Sequence, residues 1–184
     1  FFVCPTGSIL LLGLLCFIMY MGDGVVLDWG ALFMTTTKAV APDTAGLAFA
    51  VFSVAISTGR LFGDRLVEWL GIRKVMTASS IIAAAGFVCV MAAPSTITAF
   101  AGFIIVGLGA SNLIPILFSI ASHQKIMPVN LAISSVTTLG YLGLLVGPPM
   151  MGFIAHASSL YAVFGIIAAL MIFVGIASRK LHNL

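Results

Sequence analysis

The sequence predicts an all-α integral membrane protein whose six transmembrane helices form two three-helix repeats. Three observations carry this. Hydrophobic residues make up 61% of the 184 positions and charged residues only 7%, against roughly a quarter charged in soluble domains. A chain so poor in charge cannot cover itself with a water-facing surface. Its apolar residues also fall in six long continuous runs joined by short polar links, a pattern that excludes the alternating strands of a closed β-barrel. Finally, polar residues recur along those runs with a period of three helices.

A spanning helix needs about 20 mostly apolar residues, and six segments qualify. The first runs from about Ser8 to Phe33 and the second from about Ala45 to Phe62. The third covers Val75 to Ala93 and stops before Pro94. The fourth runs from Thr96 to about Ile120, the fifth from about Leu131 to Ala155, and the sixth from Leu160 to Ala177. Links such as "TTTKAVAPD" and "HQKIMP" separate them. Six passes bring both ends of the segment to one side. Arg65, Arg73, Lys74, Lys125, Arg179 and Lys180 gather on that side, whereas the opposite side carries Lys38 alone. Excess Lys and Arg mark the cytoplasmic face, so both ends are expected to be cytoplasmic.

The spans differ in how wet they are. The third has Thr77, Ser79 and Ser80 near one end and is then apolar, and the sixth has only Tyr161. Polar or kink-forming residues gather instead in the first (Asp23, Asp28), the second (Ser53, Ser57, Thr58, Arg60), the fourth (Ser111, Asn112, Pro115) and the fifth (Ser134, Ser135, Thr137, Thr138, Tyr141). Wet, wet, dry, twice over, is the pattern that the repeats of secondary transporters would produce, with each third helix facing lipid.

Two of the five acidic residues lie in the first span. At about 100° per residue, Asp23 and Asp28 differ by about 140° and cannot share a face of a regular helix. Counted from Ser8 at about 1.5 Å per residue, Asp23 lies ~22 Å into the bilayer and Asp28 ~30 Å. Asp28, followed by Trp29, reads as an outer-interface anchor. Asp23 stays at hydrocarbon depth, where a charge costs several kcal/mol unless it meets water or a partner. It is the candidate proton or solute site, with a structural polar contact between helices as the alternative. Flanking Gly22 and Gly24 would let the helix unwind there. Arg60 is the basic residue within a span, near its cytoplasmic end, where the side chain is expected to snorkel. Asn112 is placed to hydrogen-bond a solute or a neighbouring helix. Ser134, Thr138 and Tyr141, at i, i+4 and i+7, share one face of the fifth helix, suited either to a neutral polar solute such as a polyol or to helix–helix contact.

The link "GRLFGDRLVEWLGIRK" resembles the cytoplasmic loop of the major facilitator superfamily: a glycine, then Asp-Arg, then Gly-Arg-Arg. Glu68 takes the acidic place, Gly71 the second glycine and Arg73 one basic place. Asp64 stands where the first glycine is expected, and Trp69 and Ile72 replace arginines. The fifth span, "GLLVGPPMMG", is similar to that family's Gly-x-x-x-Gly-Pro-x-x-Gly-Gly pattern through Gly143, Gly147, Pro148 and Gly152, with Met151 in place of one glycine. With "DWGALF" in the first span, residues 1–184 look like the C-terminal half of a 12-helix bacterial facilitator, nearest to MosC-like rhizopine- or sugar-type permeases. The resemblance implies an N-terminal six-helix bundle elsewhere in the same chain, in keeping with a sequence that begins at Phe1 rather than Met, and an inner-membrane location.

The physics of those motifs is independent of the name. Asp64, Arg65, Glu68, Gly71 and Arg73 form a candidate cytoplasmic gate loop, whose Arg65, Glu68 and Arg73 are spaced to make charge-assisted bonds among themselves or to a helix end. Such a cluster latches one conformation or simply sets orientation. Gly143 and Gly147 permit close helix approach, and Pro148–Pro149 removes two backbone donors and bends the helix.

The remaining chemistry is sparse. A net charge of +3 without a basic–aromatic patch gives no nucleic-acid partner. Cys4, Cys16 and Cys89 sit in or beside apolar runs as small hydrophobes. His123, His156 and His182 lie near helix ends, outside metal-ligand spacing, so neither metal nor cofactor is expected. No HExxH, nucleophile elbow or multi-carboxylate cluster supports a membrane enzyme. The sequence therefore points to a secondary-active transporter in the lipid bilayer, moving a small polar solute by alternating access with proton coupling. Drug or metabolite efflux on the same fold, or a membrane-embedded enzyme, are the alternatives.

Overall fold

The computed structural model describes residues 7–179. Cys4, Lys180 and His182 lie outside the described residues. Among the described residues, nine helices make six passes. α1 (Gly7–Lys38) is the first pass. It ends where Ala39 takes a left-handed φ of 52° and the Val40 N–H returns to the Met34 carbonyl at 3.1 Å. Pro42 opens α2 (Pro42–Ala45), as its fixed φ and missing N–H favour. With α3 (Leu47–Leu61) this completes the second pass.

The link expected as a loop contains a short helix, α4 (Gly63–Leu70). Its Leu66, Val67 and Leu70 recur at helical spacing amid charged neighbours, which makes it amphipathic. Gly71, at φ 81°, separates α4 from α5 (Ile72–Ala92), in a backbone region that side-chain-bearing residues rarely adopt. Ser95 and Thr98 then form a reciprocal capping box that starts α6 (Thr96–Ala110). The fourth pass breaks at Ser111–Asn112 and resumes as α7 (Leu113–His123). After it, the Gln124 side chain accepts from the Ile126 and Met127 N–H groups and donates to the Met127 carbonyl, closing the turn. α8 (Val129–Ala157) continues through Pro148–Pro149, and α9 (Leu160–Ala177) is capped by Ser159, which accepts from the Ala162 N–H at 3.2 Å.

The packing follows part of the symmetry that the wet–wet–dry pattern implies, although the third span packs on the fourth far more than the sixth does on the first. The first span packs chiefly on the fifth, the second on the fourth, and the third on the sixth and fourth. Exchanging the two three-helix units maps first–fifth onto fourth–second and leaves third–sixth unchanged. Spans one and four are the most enclosed, while two and five are the least. Beyond Arg73 and Lys74 at the start of α5 and Tyr161 at the start of α9, the exposed residues of these helices are apolar, among them Ile81, Ile82 and Val88 on α5 and Ile172, Phe173 and Ile176 on α9. They suit the lipid contact expected of each third helix.

Lipid tails are as apolar as leucine, so close packing must hold such helices together. Glycines permit it. A Cβ on Gly86 of α5 would stand 2.5 Å from the Val106 backbone nitrogen, and one on Gly102 of α6 2.8 Å from that of Val90. Gly109 meets the backbone of Ala83, and Gly107, on the other side of α6, the Phe52 carbonyl of α3. The centre is aromatic. Phe164 of α9 stacks on Phe33 at 4.4 Å and meets Phe87 and Phe103 edge-on at 5.8 and 6.2 Å, tying α9 to α1, α5 and α6.

Candidate functional site

Polar residues of α1 and α8 meet on one side of the bundle. α1 contributes Tyr20 and Asp23, three residues apart and hence neighbours on one helix face. Asp23 is half-buried. α1 runs unbroken through Gly22 and Gly24, so the local unwinding expected around Asp23 does not occur. Those glycines serve packing instead. Gly22 faces Met171 of α9, and Gly24 faces Leu144 and Pro148 of α8.

Arg60 of α3 lies near enough to Asp23 to act on it electrostatically. Its side chain is exposed, and its Nε donates to the Ser111 carbonyl at 3.2 Å. The reason is written in the sequence. Pro115 has no N–H, so the carbonyl four residues before it loses its helical donor, and Arg60 supplies one from the next helix. Asn112 sits beside this anchor and is buried; its Nδ2 donates to the Gly59 carbonyl at 3.2 Å and to Ser111 Oγ at 2.9 Å. Gly59 and Gly63 leave room for it, since a Cβ on Gly59 would stand 2.5 Å from Ser111 Oγ and one on Gly63 would collide with Asn112 Oδ1. Asn112 thus joins α3 to the α6–α7 break at the level of Arg60.

On α8, Ser134, Thr138 and Tyr141 are all exposed along one face. Thr138 donates its hydroxyl to the Ser134 carbonyl at 2.8 Å, which leaves its oxygen as an acceptor. The Tyr141 ring lies 5.4 Å from that of Tyr20, tilted by 53°. Tyr20 and Arg60 are the residues that sequence reasoning left out of the site. The Asp23-minus-three spacing and Pro115 were the signals for them.

In the gate loop, Asp64, Arg65, Glu68 and Arg73 are exposed. Asp64 and Glu68 share a cavity of about 320 Å³ with Asn112, Pro115 and Ser119, under the α6–α7 break. At the α1–α8 contact Gly143 meets the Phe17 backbone, and Gly147 lies against Met21. Gly152 is covered by the Trp29 indole, which would stand 3.2 Å from an added Cβ. Asp28 is exposed on a different side from Asp23. Lys38 is bound into the fold: its Nζ donates to the carbonyls of Met91 and Ala93 at 3.0 and 2.7 Å and lies 5.8 Å from the Phe33 and Tyr161 rings. Cys16 is buried and Cys89 half-buried, both as free thiols. His123 and His156 are exposed. Among the described residues, no group of three His, Cys, Asp or Glu residues is placed to hold a metal ion.

Residues 11–182 match the family model of the Major Facilitator Superfamily. The chain belongs to this family. A Major Facilitator Superfamily (MFS)-type transporter of Yersinia pestis, itself uncharacterized, is 46% identical over 178 residues, covering 97% of this chain and 46% of the relative. Membrane protein MosC of Rhizobium meliloti is 33% identical over 171 residues, covering 93% of this chain and 42% of MosC. The chain therefore spans a little under half the length of the facilitators it matches. A crystal structure of a peptide transporter POT superposes over the whole chain and 39% of that transporter, with a TM-score of 0.78 at 16% identity. That likeness concerns the fold. The chain matches about half of each of these facilitator-type proteins, and the resemblance carried by the loop and by "GLLVGPPMMG" is correct at the family level.

Proposed function

We propose that these six helices are the C-terminal half of a secondary-active transporter that moves a small polar solute by alternating access, coupled to protons through Asp23. The observation that carries this reading is the half-buried Asp23, within electrostatic reach of Arg60, beside a polar stripe on a face that the chain's own helices leave open. A carboxylate at hydrocarbon depth is costly unless it is functional or partnered. Here its cationic neighbour is fixed by a separate hydrogen bond, so the cation stays whether or not the carboxylate is charged. Ser134, Thr138 and Tyr141 would contact the solute, with Tyr20 and Tyr141 offering ring faces. Asn112 would hold Arg60's anchor by tying α3 to the α6–α7 break. An N-terminal bundle of the same protein would cover the face and complete the cavity.

In this reading the basic end is cytoplasmic, and both ends of the segment lie there. Glu68, Arg65 and Arg73 act with Asp64 and the Gly71 hinge as a gate on that side, making their charge-assisted contacts in one conformation and releasing them in the other. Gly143, Gly147, Pro148 and Gly152 keep α1 and α8 in close contact as the bundle rocks. The test is solute movement by the full-length protein in sealed vesicles, screened over polyols, sugars and small metabolites with and without an imposed pH gradient. Accumulation of one class that collapses with the gradient supports the reading; turnover of a lipid-linked substrate without net transport would replace it with an enzyme.

A further inference from the structure

At the basic end of the bundle, α4, the start of α5, the end of α7 and Ser178 after α9 enclose a cavity of about 820 Å³. It is separate from the polar face that holds Asp23. Its walls are apolar, formed by residues such as Leu70, Ile72, Met76 and Ile120. Its charged lining has one sign. Arg73 and Lys74 enter it with His123 beside them, and among the described residues no carboxylate lines it; Asp64 and Glu68 line the adjoining smaller cavity. Both cations are exposed. His123 Nδ1 donates to the Ser119 carbonyl at 2.8 Å, which turns the other ring nitrogen away from that helix. α5 begins at this cavity with neither an acidic residue in its first turn nor a side-chain cap, so its first amides add to the positive field.

We propose that this cavity binds an anionic phospholipid, with the headgroup phosphate on Arg73 and Lys74 and the acyl chains along the apolar walls. The chemistry selects this occupant over its neighbours. A free phosphate would leave most of 820 Å³ of apolar-walled space unused. A zwitterionic headgroup would bring a cation to a lining that offers only cations. Basic pockets between transmembrane helices suit anionic headgroups, which lie at the level where spans enter the bilayer. The inference rests on the membrane setting of the bundle and not on what it transports, so a failed transport assay leaves it standing.

Purified full-length protein in non-ionic detergent is titrated with short-chain phosphatidylglycerol, short-chain phosphatidylcholine, or inorganic phosphate at matched ionic strength, and its unfolding temperature is read. Phosphatidylglycerol should raise that temperature saturably, whereas phosphatidylcholine and phosphate should not. The double variant Arg73→Gln/Lys74→Gln should raise the half-saturating phosphatidylglycerol concentration about tenfold. Lys125→Gln, at the same end but outside the cavity, should leave it within about twofold. Should the double variant not fold, Lys74→Gln alone should still weaken binding several-fold. Equal stabilisation by phosphatidylcholine would remove headgroup recognition, and equal stabilisation by phosphate would make this a free-anion site. A phosphatidylglycerol response unchanged by Lys74→Gln, as expected if another segment of the full-length protein fills the cavity, also overturns the proposal.

Discussion

Arg60 Nε donates to the Ser111 carbonyl because Pro115, four residues on, cannot. This one bond holds a cation within electrostatic reach of Asp23 and ties the second span to the break in the fourth. Removing a partner from a buried carbonyl costs about 1–3 kcal/mol, so Arg60→Met should lower stability by that order. Pro115→Ala would restore a helical N–H to the same carbonyl. A double-mutant cycle on thermal unfolding should therefore show Arg60→Met costing less in the Pro115→Ala background, with a coupling of about 1 kcal/mol. Strict additivity would mean that the freed carbonyl is not what holds Arg60.

Lys38 is predicted to be a structural clamp. It offers two charge-assisted bonds to the last carbonyls of the third span, and hydrogen bonds to charged groups contribute about 1.5–3 kcal/mol. Lys38→Met should destabilise the bundle by about 2 kcal/mol, while Lys125→Met, at an exposed site, should change stability by less than about 0.5 kcal/mol. Matching effects in the two variants would reduce Lys38 to an orientation signal.

Glycine has different meanings at different positions. A Cβ on Gly143 would enter the Phe17 backbone, whereas one on Gly165 would meet nothing within 4 Å. Gly143→Ala must push α1 and α8 apart and should cost about 1–3 kcal/mol. Gly165→Ala should be neutral or stabilising by up to about 1 kcal/mol, through helix propensity. Unfolding of the two variants in detergent checks the contrast.

Glu68→Gln should slow transport without reducing the amount of protein in the membrane, because Glu68 is exposed and packs no span. Initial uptake rates normalised to inserted protein provide the measurement. An unchanged rate would leave the loop with orientation alone.

Much of this was legible in the sequence, because the bilayer imposes long apolar runs. The sixth span falls at Leu160–Ala177 as expected, and the others agree to within a few residues at most ends. Asp23 stood out because depth makes a carboxylate expensive. What stayed hidden depended on neighbours distant in sequence. Pro115 announced a free carbonyl but not the arginine that would reach it, 51 residues earlier. Gly86, Gly102 and Gly109 read as ordinary apolar sequence until two backbones are seen to touch there. The short α4 was masked by the charges of its own polar face, and Gly22 and Gly24 suggested a break because glycine loosens a helix. Packing on Met171, Leu144 and Pro148 keeps that stretch regular.

The central claim is that Asp23 couples transport to protons while Arg60 remains fixed beside it. Asp23→Asn keeps the size of the side chain and removes its charge and its titration, so the bundle should still fold and insert. The direct measurement is solute accumulation by the full-length Asp23→Asn protein in sealed vesicles, with and without an imposed pH gradient, beside the parent and Asp28→Asn. The account predicts that Asp23→Asn loses gradient-driven accumulation yet still equilibrates solute down its own gradient, while Asp28→Asn accumulates nearly as the parent does. Accumulation by Asp23→Asn at the parental level would contradict it and make the carboxylate a structural contact between helices.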